Sequence, residues 1–304
     1  MIQIPKYLQQ GDTIGLVCPS GYLPAANSAT CINVLRDWGF DVIVGKTMSG
    51  QHHYFSGTDD ERLADLQKML DNPDVKAILC GRGGYGLSRI IDRLDFSTFI
   101  KHPKWVIGFS DITLLLTHVF QQYNTASIHA PMAAAFNNDG YKKQYVQSLR
   151  SMLMGKTNKY SCPSHLLNRN GAAKGRLIGG NLTMLTHLIG SNSAFASTNG
   201  CILFIEDVGE YIYKIDRMFI QLKRCGWLAG LAGLIVGGFT DMKDTTITFG
   251  KSIESIIAEH LVGTNYPVCF NFPVGHQTEN FALKIGGEYC LEVSDVGVSL
   301  SEIE

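Results

Sequence analysis

Short β-branched runs alternate along the first half of the chain with segments whose apolar residues recur at helical spacing. This is the pattern of a parallel sheet covered by helices on both faces. The predicted strands are Thr13–Val17, Asp41–Val44, Val75–Cys80, Trp105–Phe109 and Ser127–Ala130, and the predicted helices are Ala29–Trp38, Asp59–Asp71, Leu87–Leu94 and Asp111–Tyr123. Each strand runs into a Gly, Pro or Ser cluster, and ligands of open α/β sheets bind beyond the strands' carboxyl ends. From Tyr141 to Lys174 the periodicity dissolves into Lys, Ser, Asn and Gly. Residues 151–172 are therefore read as a linker between an N-terminal α/β domain, 1–150, and a C-terminal domain, 173–304. The second half resumes with Gly179-Gly180-Asn181 opening a helix, a strand at Cys201–Ile205, a helix over Lys214–Cys225 and a strand at Gly233–Gly237. It stays β-rich to its end, as in a smaller α+β domain.

Composition narrows the class. With 304 residues, 45% hydrophobic and 17% charged, the chain can bury a substantial core in about two domains. The 26 Lys+Arg and 27 Asp+Glu nearly cancel, so no basic excess is present to track a nucleic-acid backbone. Eight cysteines at 18, 31, 80, 162, 201, 225, 269 and 290 form no C-x-x-C pair, and neither a zinc site nor a thioredoxin motif is indicated. Several lie inside apolar runs and read as small core hydrophobes of a reducing compartment. Met1 to Lys6 lack a charged segment leading into an apolar one, and the longest apolar stretch, Leu228 to Phe239, falls short of the ~20 residues that span a bilayer. The expectation is a soluble cytoplasmic protein with no membrane partner.

Two segments carry candidate chemistry. Gly81-Arg82-Gly83-Gly84-Tyr85-Gly86 follows a predicted strand and fits G-x-G-x-x-G at 81, 83 and 86. It reads as a dinucleotide fingerprint, as a tight turn that needs glycine, or as a nest of backbone N–H groups able to hold an oxyanion. Asp111 lies 25 residues beyond Gly86. The fingerprint reading is weakened because the motif follows the third strand rather than the first. In Trp105 to Thr113 an apolar strand runs through Gly108-Phe109-Ser110 into a helix, as in a nucleophile elbow, although an N-cap serine would give the same pattern. A helix N-terminus beside Ser110 would supply N–H donors and partial positive charge to a developing oxyanion.

A nucleophilic serine needs a base and an orienting acid. Among nine histidines, His276 lies in the turn-rich loop Asn271 to Asn280 and is the best candidate base, whereas His118 and His187 fall among leucines on helices, and His129 ends a strand. Glu206, at the carboxyl end of the apolar strand from Cys201, is the candidate acid, with Asp207 and Glu210 competing. Arg82 and Tyr85 are candidates for contacting substrate.

With Gly81 to Gly86, Gly108 to Thr113, Ile205 to Glu210 and Pro273 to His276 in that order, the chain resembles the LD-carboxypeptidase family of serine peptidases along nearly its whole length. The resemblance implies an N-terminal flavodoxin-like, doubly wound parallel sheet and a smaller C-terminal swivelling β-rich domain, with the site in the cleft between them, and a homodimer. It implies a triad of Ser110 as nucleophile, His276 as base and Glu206 as orienting acid, with backbone N–H groups of Gly83 or Gly84 and of Asp111 forming the oxyanion hole. Neither metal nor cofactor is implied. The implied reaction releases terminal D-alanine from cytoplasmic murein tetrapeptide in peptidoglycan recycling; some relatives instead hydrolyse microcin C-like peptidyl-nucleotides. This chain departs from many relatives in having Gln277 after the histidine, Leu283-Lys284 where Leu-Pro is usual, and Ala130 after His129. The rivals from other classes are a nucleotide- or NAD-binding protein using Gly81, Gly83 and Gly86, and a catalytically silent ligand-binding module.

Overall fold

The computed structural model describes residues 2–303. The chain divides into two units: one comprises the residues up to Lys156 together with Phe281–Lys284, and the other Thr157–Asn280 together with the residues from Ile285 onward.

In the first unit the elements run β1 (Thr13–Val17), α1 (Ala29–Asp37), β2 (Asp41–Val44), α2 (Asp59–Asp71), β3 (Val75–Cys80), α3 (Ser97–Lys101), β4 (Trp105–Gly108), α4 (Thr113–Tyr123), β5 (Ser127–His129) and α5 (Gln144–Leu153). The strands pair in parallel in the order β2-β1-β3-β4-β5, which is the flavodoxin-like order, and Leu283–Ile285 adds an edge strand beyond β5. Every residue of β4 is buried, as is β3 except at Lys76, because helices cover both faces of the sheet. Ile14, Leu16, Leu79 and Ile107 pack with Cys31, Val34 and Leu35 of α1 and Leu149 and Met152 of α5. On the other face, a methyl at Gly15 would meet Met69 Sδ of α2 at 2.8 Å, so the glycine lets that helix lie close.

The helix expected over Leu87–Leu94 is instead a pair of 3-10 turns, Leu87–Arg89 and Ile91–Arg93. Gly86 enters it at φ +144°, and the Leu87 N–H is taken by Asp111 Oδ2 at 3.0 Å, so the apolar spacing there serves a compact loop. Helix α2 starts on a capping box between Thr58 and Glu61, and its C-terminal carbonyls are closed by buried Lys104, whose Nζ donates to Met69 O, Leu70 O and Asn72 O.

The second unit contains β6 (Lys159–Cys162), β7 (Gly171–Asn181), α6 (Leu182–Leu188), β8 (Cys201–Val208), α7 (Ile212–Arg224), β9 (Gly233–Thr240), α8 (Ile253–His260), β10 (Val268–Cys269), β12 (Glu288–Ser294) and β13 (Gly297–Ile303), where β11 denotes the edge strand Leu283–Ile285 of the first sheet. Its mixed sheet has the order β10-β9-β8-β7-β12-β13-β6, parallel from β7 to β10 and antiparallel from β7 through β12 and β13 to β6. The stretch 151–172, expected as a linker, holds the last turn of α5 and the whole of β6. Its polar sequence conceals β6 because that strand is fixed by pairing with β13, far along the chain. Among the described residues no helix is long and apolar enough to cross a membrane.

Candidate active site

Ser110 sits two residues beyond β4, at the first position of a 3-10 turn, Ser110–Ile112, that leads into α4. Its φ of +64° is in the left-handed region, which non-glycine residues rarely adopt. The preceding Phe109 is fully extended at φ −153°, so the chain reverses sharply at the serine and presents its side chain at the helix entrance, where N–H donors lack intrahelical partners.

The glycine loop closes on this turn. A methyl at Gly83 would lie 2.8 Å from Ser110 Cβ and 3.1 Å from Ser110 Oγ, so the absence of a side chain at 83 is what lets the loop reach the serine. The Gly83 carbonyl accepts from Gly21 N–H at 2.9 Å. In a trans peptide this directs the Gly84 N–H the opposite way, away from Gly21. Arg62, fully buried on α2, donates to Gly86 O at 2.9 Å and to Pro19 O at 2.6 Å and pairs with Asp59, locking the far end of the loop. Asp111 turns its carboxylate inward, where Oδ2 accepts from Ser20 Oγ at 2.6 Å and from Leu87 N–H. Burial pushes its pKa up, against the pull of those two donors and of Arg62. The Asp111 side chain is thus a brace between the serine turn and the glycine loop, while its backbone belongs to the helix entrance.

The loop meets the needs of a dinucleotide poorly. It leads into 3-10 turns and opens no regular helix of its own, as a dinucleotide fingerprint would, and side chains at Gly81 and Gly83 would collide with Met48, Cys18 and Ser110, so these glycines serve close packing. Arg82 is exposed, with Nη1 donating to Tyr22 O at 2.6 Å, and Tyr85 is exposed beside Phe55.

In the second unit Glu206 and His276 are brought together. Glu206 lies at a register shift between β8 and β9, opposite Gly237 and Gly238, and is fully buried. Its Oε2 accepts from His276 Nδ1 at 2.6 Å and from the His276 backbone N–H at 3.2 Å. The imidazole, with its side chain 19% exposed, thereby has its tautomer and orientation set at Nδ1. Gly275, at φ +105°, makes this possible: a methyl there would fall 2.5 Å from Glu206 Cβ. Asn280 Oδ1 holds the Gly275 N–H at 2.8 Å, and Thr240 Oγ1 holds His276 O at 2.8 Å. Burial acts to lower the imidazole pKa, but the Glu206 bond and charge, with the charge of Asp207, outweigh it and hold His276 above its ordinary value.

Asp207 faces the opposite side of β8. It accepts from Asn181 Nδ2, Thr183 N–H, Thr183 Oγ1 and Val208 N–H, all within 2.9 Å, and burial with the neighbouring Glu206 charge pushes its pKa up to about 6. It therefore ties the entrance of α6 to β8. Glu210 pairs with Lys214 at 3.0 Å and lines a cavity of about 420 Å³ with Lys214, Arg217 and His187. Of the three carboxylates open to choice, Glu206 is the one that touches His276. Gln277 donates to Phe272 O at 2.7 Å and shapes its loop, and Lys284 donates to Tyr7 OH at 2.9 Å within the first unit. Ala130 N–H bonds Gly108 O at 3.1 Å, bracing the strand before Ser110. The contributions of Arg62, Ser20 and Gly275 escape sequence reasoning; a glycine just before the candidate histidine was the one signal available.

Comparison with known proteins covers both halves. Residues 14–130 match the LD-carboxypeptidase N-terminal domain and residues 174–291 the LD-carboxypeptidase C-terminal domain. The chain is 35% identical over 296 residues to the probable murein peptide carboxypeptidase of Bacillus subtilis, covering 96% of this chain and 92% of that protein. It is 27% identical to the microcin C7 self-immunity protein MccF of Escherichia coli, covering 97% and 94% of the two chains. The crystal structure of muramoyltetrapeptide carboxypeptidase from Oxalobacter formigenes superposes with a TM-score of 0.85 at 27% identity, covering 96% and 99%. Similarity that runs through the serine turn, the glutamate strand and the histidine loop in one continuous order makes this chain a member of the LD-carboxypeptidase family, peptidase S66.

Proposed function

We propose that the protein is a serine LD-carboxypeptidase that releases terminal D-alanine from murein tetrapeptide, in the cytoplasmic recycling of peptidoglycan. The observation that carries the reading is the buried Glu206 carboxylate bonded at 2.6 Å to His276 Nδ1, which commits Nε2 to proton transfer. In this mechanism Nε2 takes the Ser110 Oγ proton as Oγ attacks the carbonyl carbon before D-alanine. The oxyanion falls on the backbone N–H groups of Asp111 and of Gly83 or Gly84. Collapse of the tetrahedral intermediate breaks the C–N bond, and His276 returns the proton to the departing amine. Water, deprotonated by the same imidazole, then hydrolyses the Ser110 ester. Glu206 moves no proton and stabilises the imidazolium.

Purified protein incubated with murein tetrapeptide should yield free D-alanine by mass spectrometry, with Ser110→Ala lowering turnover by on the order of 10⁴ or more. A Ser110→Ala protein that keeps the wild-type rate rejects the assignment. Similarity to MccF over 97% of this chain favours a second reading, hydrolysis of a peptidyl-nucleotide. Offering an aminoacyl-nucleotide analogue in competition with tetrapeptide distinguishes the two by which bond is cut faster.

A further inference from the structure

The second sheet ends in β10 on one side and β6 on the other, yet side chains of β6 touch β10 and the segment that follows it. Tyr160 of β6 meets Phe272 edge-on with ring centroids 6.5 Å apart, and Cys162 Sγ lies 4.0 Å from Cys269 Sγ of β10. The chain after β6 crosses to β10 directly: Arg169 and Val268 exchange backbone hydrogen bonds at 3.0 and 3.1 Å, and Asn168 Oδ1 accepts from Phe270 N–H at 2.8 Å. The sheet therefore curls until its edges meet, and the two thiols, 107 residues apart, mark the seam.

We propose that Cys162 and Cys269 form a reversible disulfide that fastens this seam. Closing the gap from 4.0 Å to a bond of about 2.05 Å needs the sulfurs to approach by about 2 Å. Cys162 is half-exposed and Cys269 buried, which orders the chemistry. The Cys162 thiolate attacks a low-molecular-weight disulfide, expelling one thiolate and leaving a mixed disulfide. Cys269, losing its proton, then attacks the Cys162 sulfur and expels the second thiolate. Two protein thiols are oxidised, one small disulfide is reduced to two thiols, and the two protons released go to those thiolates. The hydrogen bond between the sulfurs favours this order, lowering the pKa of Cys162 and, together with burial, raising that of Cys269. Among the described residues no third His, Cys, Asp or Glu joins the pair in a metal-binding group. The consequence lies seven residues on. Cys269 immediately precedes the segment Phe270 to Gly275 that leads to His276, so the bond would anchor the root of the histidine loop.

The test is equilibration of the full chain with mixtures of oxidised and reduced glutathione, followed by acid quench, alkylation and peptide mapping. A linked Cys162–Cys269 peptide, two hydrogen masses lighter than the reduced pair, is expected, and it should disappear in both Cys162→Ser and Cys269→Ala. On the folded wild-type protein, amide exchange at 159–162 and 268–276 should slow by about tenfold or more on oxidation and recover with dithiothreitol. Persistent glutathione on Cys162, alkylation of both residues at every ratio, or linkage among other cysteines would overturn the proposal. Unchanged exchange in a linked protein would overturn the anchoring. None of these readouts depends on the substrate.

Discussion

At the scale of single residues, backbone strain and close approach coincide at the proposed nucleophile. A serine at φ +64° costs on the order of 1–3 kcal/mol and persists because Gly83 and the braced Asp111 surround it. Gly275 plays the corresponding part for the histidine. Gly275→Ala strains a φ of +105° and drives a methyl into Glu206, so it should displace the imidazole and lower kcat/KM by about 10² while the protein stays folded by circular dichroism. The base must be unprotonated to act, so kcat/KM should rise with pH through the titration of His276. Because Glu206 holds that titration above the ordinary imidazole value, Glu206→Gln should move the acid limb to lower pH while costing less rate than Ser110→Ala. A pH–rate profile whose acid limb does not move would assign that limb to another group. Ser110, Glu206 and His276 could each be singled out in the sequence by residue type and position at an element's end. The choice between Glu206 and Glu210 could not, because it depends on which carboxylate points under the histidine loop, and four residues along the chain do not reveal that.

At the scale of elements, strands β1 to β5 were legible nearly to the residue, since each is a short apolar run bounded by turn residues. Leu87 to Leu94 misled because Leu87, Ile90, Ile91 and Leu94 repeat at helical spacing while a glycine at φ +144° and an acceptor from Asp111 hold the segment in 3-10 turns. Strand β7 was missed because Gly171-Ala172-Ala173-Lys174-Gly175 shows no alternation and Gly179-Gly180-Asn181 read only as a helix opening; pairing with β12 and β8 decides it. Lys104 was equally silent, a charged residue that proves buried. Lys104→Met would leave three carbonyls around the end of α2 without their donor, and should destabilise the protein by about 1–3 kcal/mol, read as a lower urea midpoint.

At the scale of the whole molecule, the chain divides into two units, and the return of Phe281–Lys284 to the first depends on contacts far apart in the chain and leaves no local signature in the sequence. The candidate residues divide between the units, with Ser110 in the first and Glu206 and His276 in the second. A homodimer, carried by the family resemblance, predicts about twice the 33.4 kDa chain mass by light scattering, and a concentration-independent monomer would set that expectation aside. The most direct measurement is rapid acid quench of enzyme turning over murein tetrapeptide, with peptide mapping of the trapped acyl group. The mechanism predicts an ester of the substrate lacking D-alanine on the peptide that contains Ser110, absent from Ser110→Ala. Turnover by the wild type with an adduct on another residue, or undiminished turnover by Ser110→Ala, would contradict it.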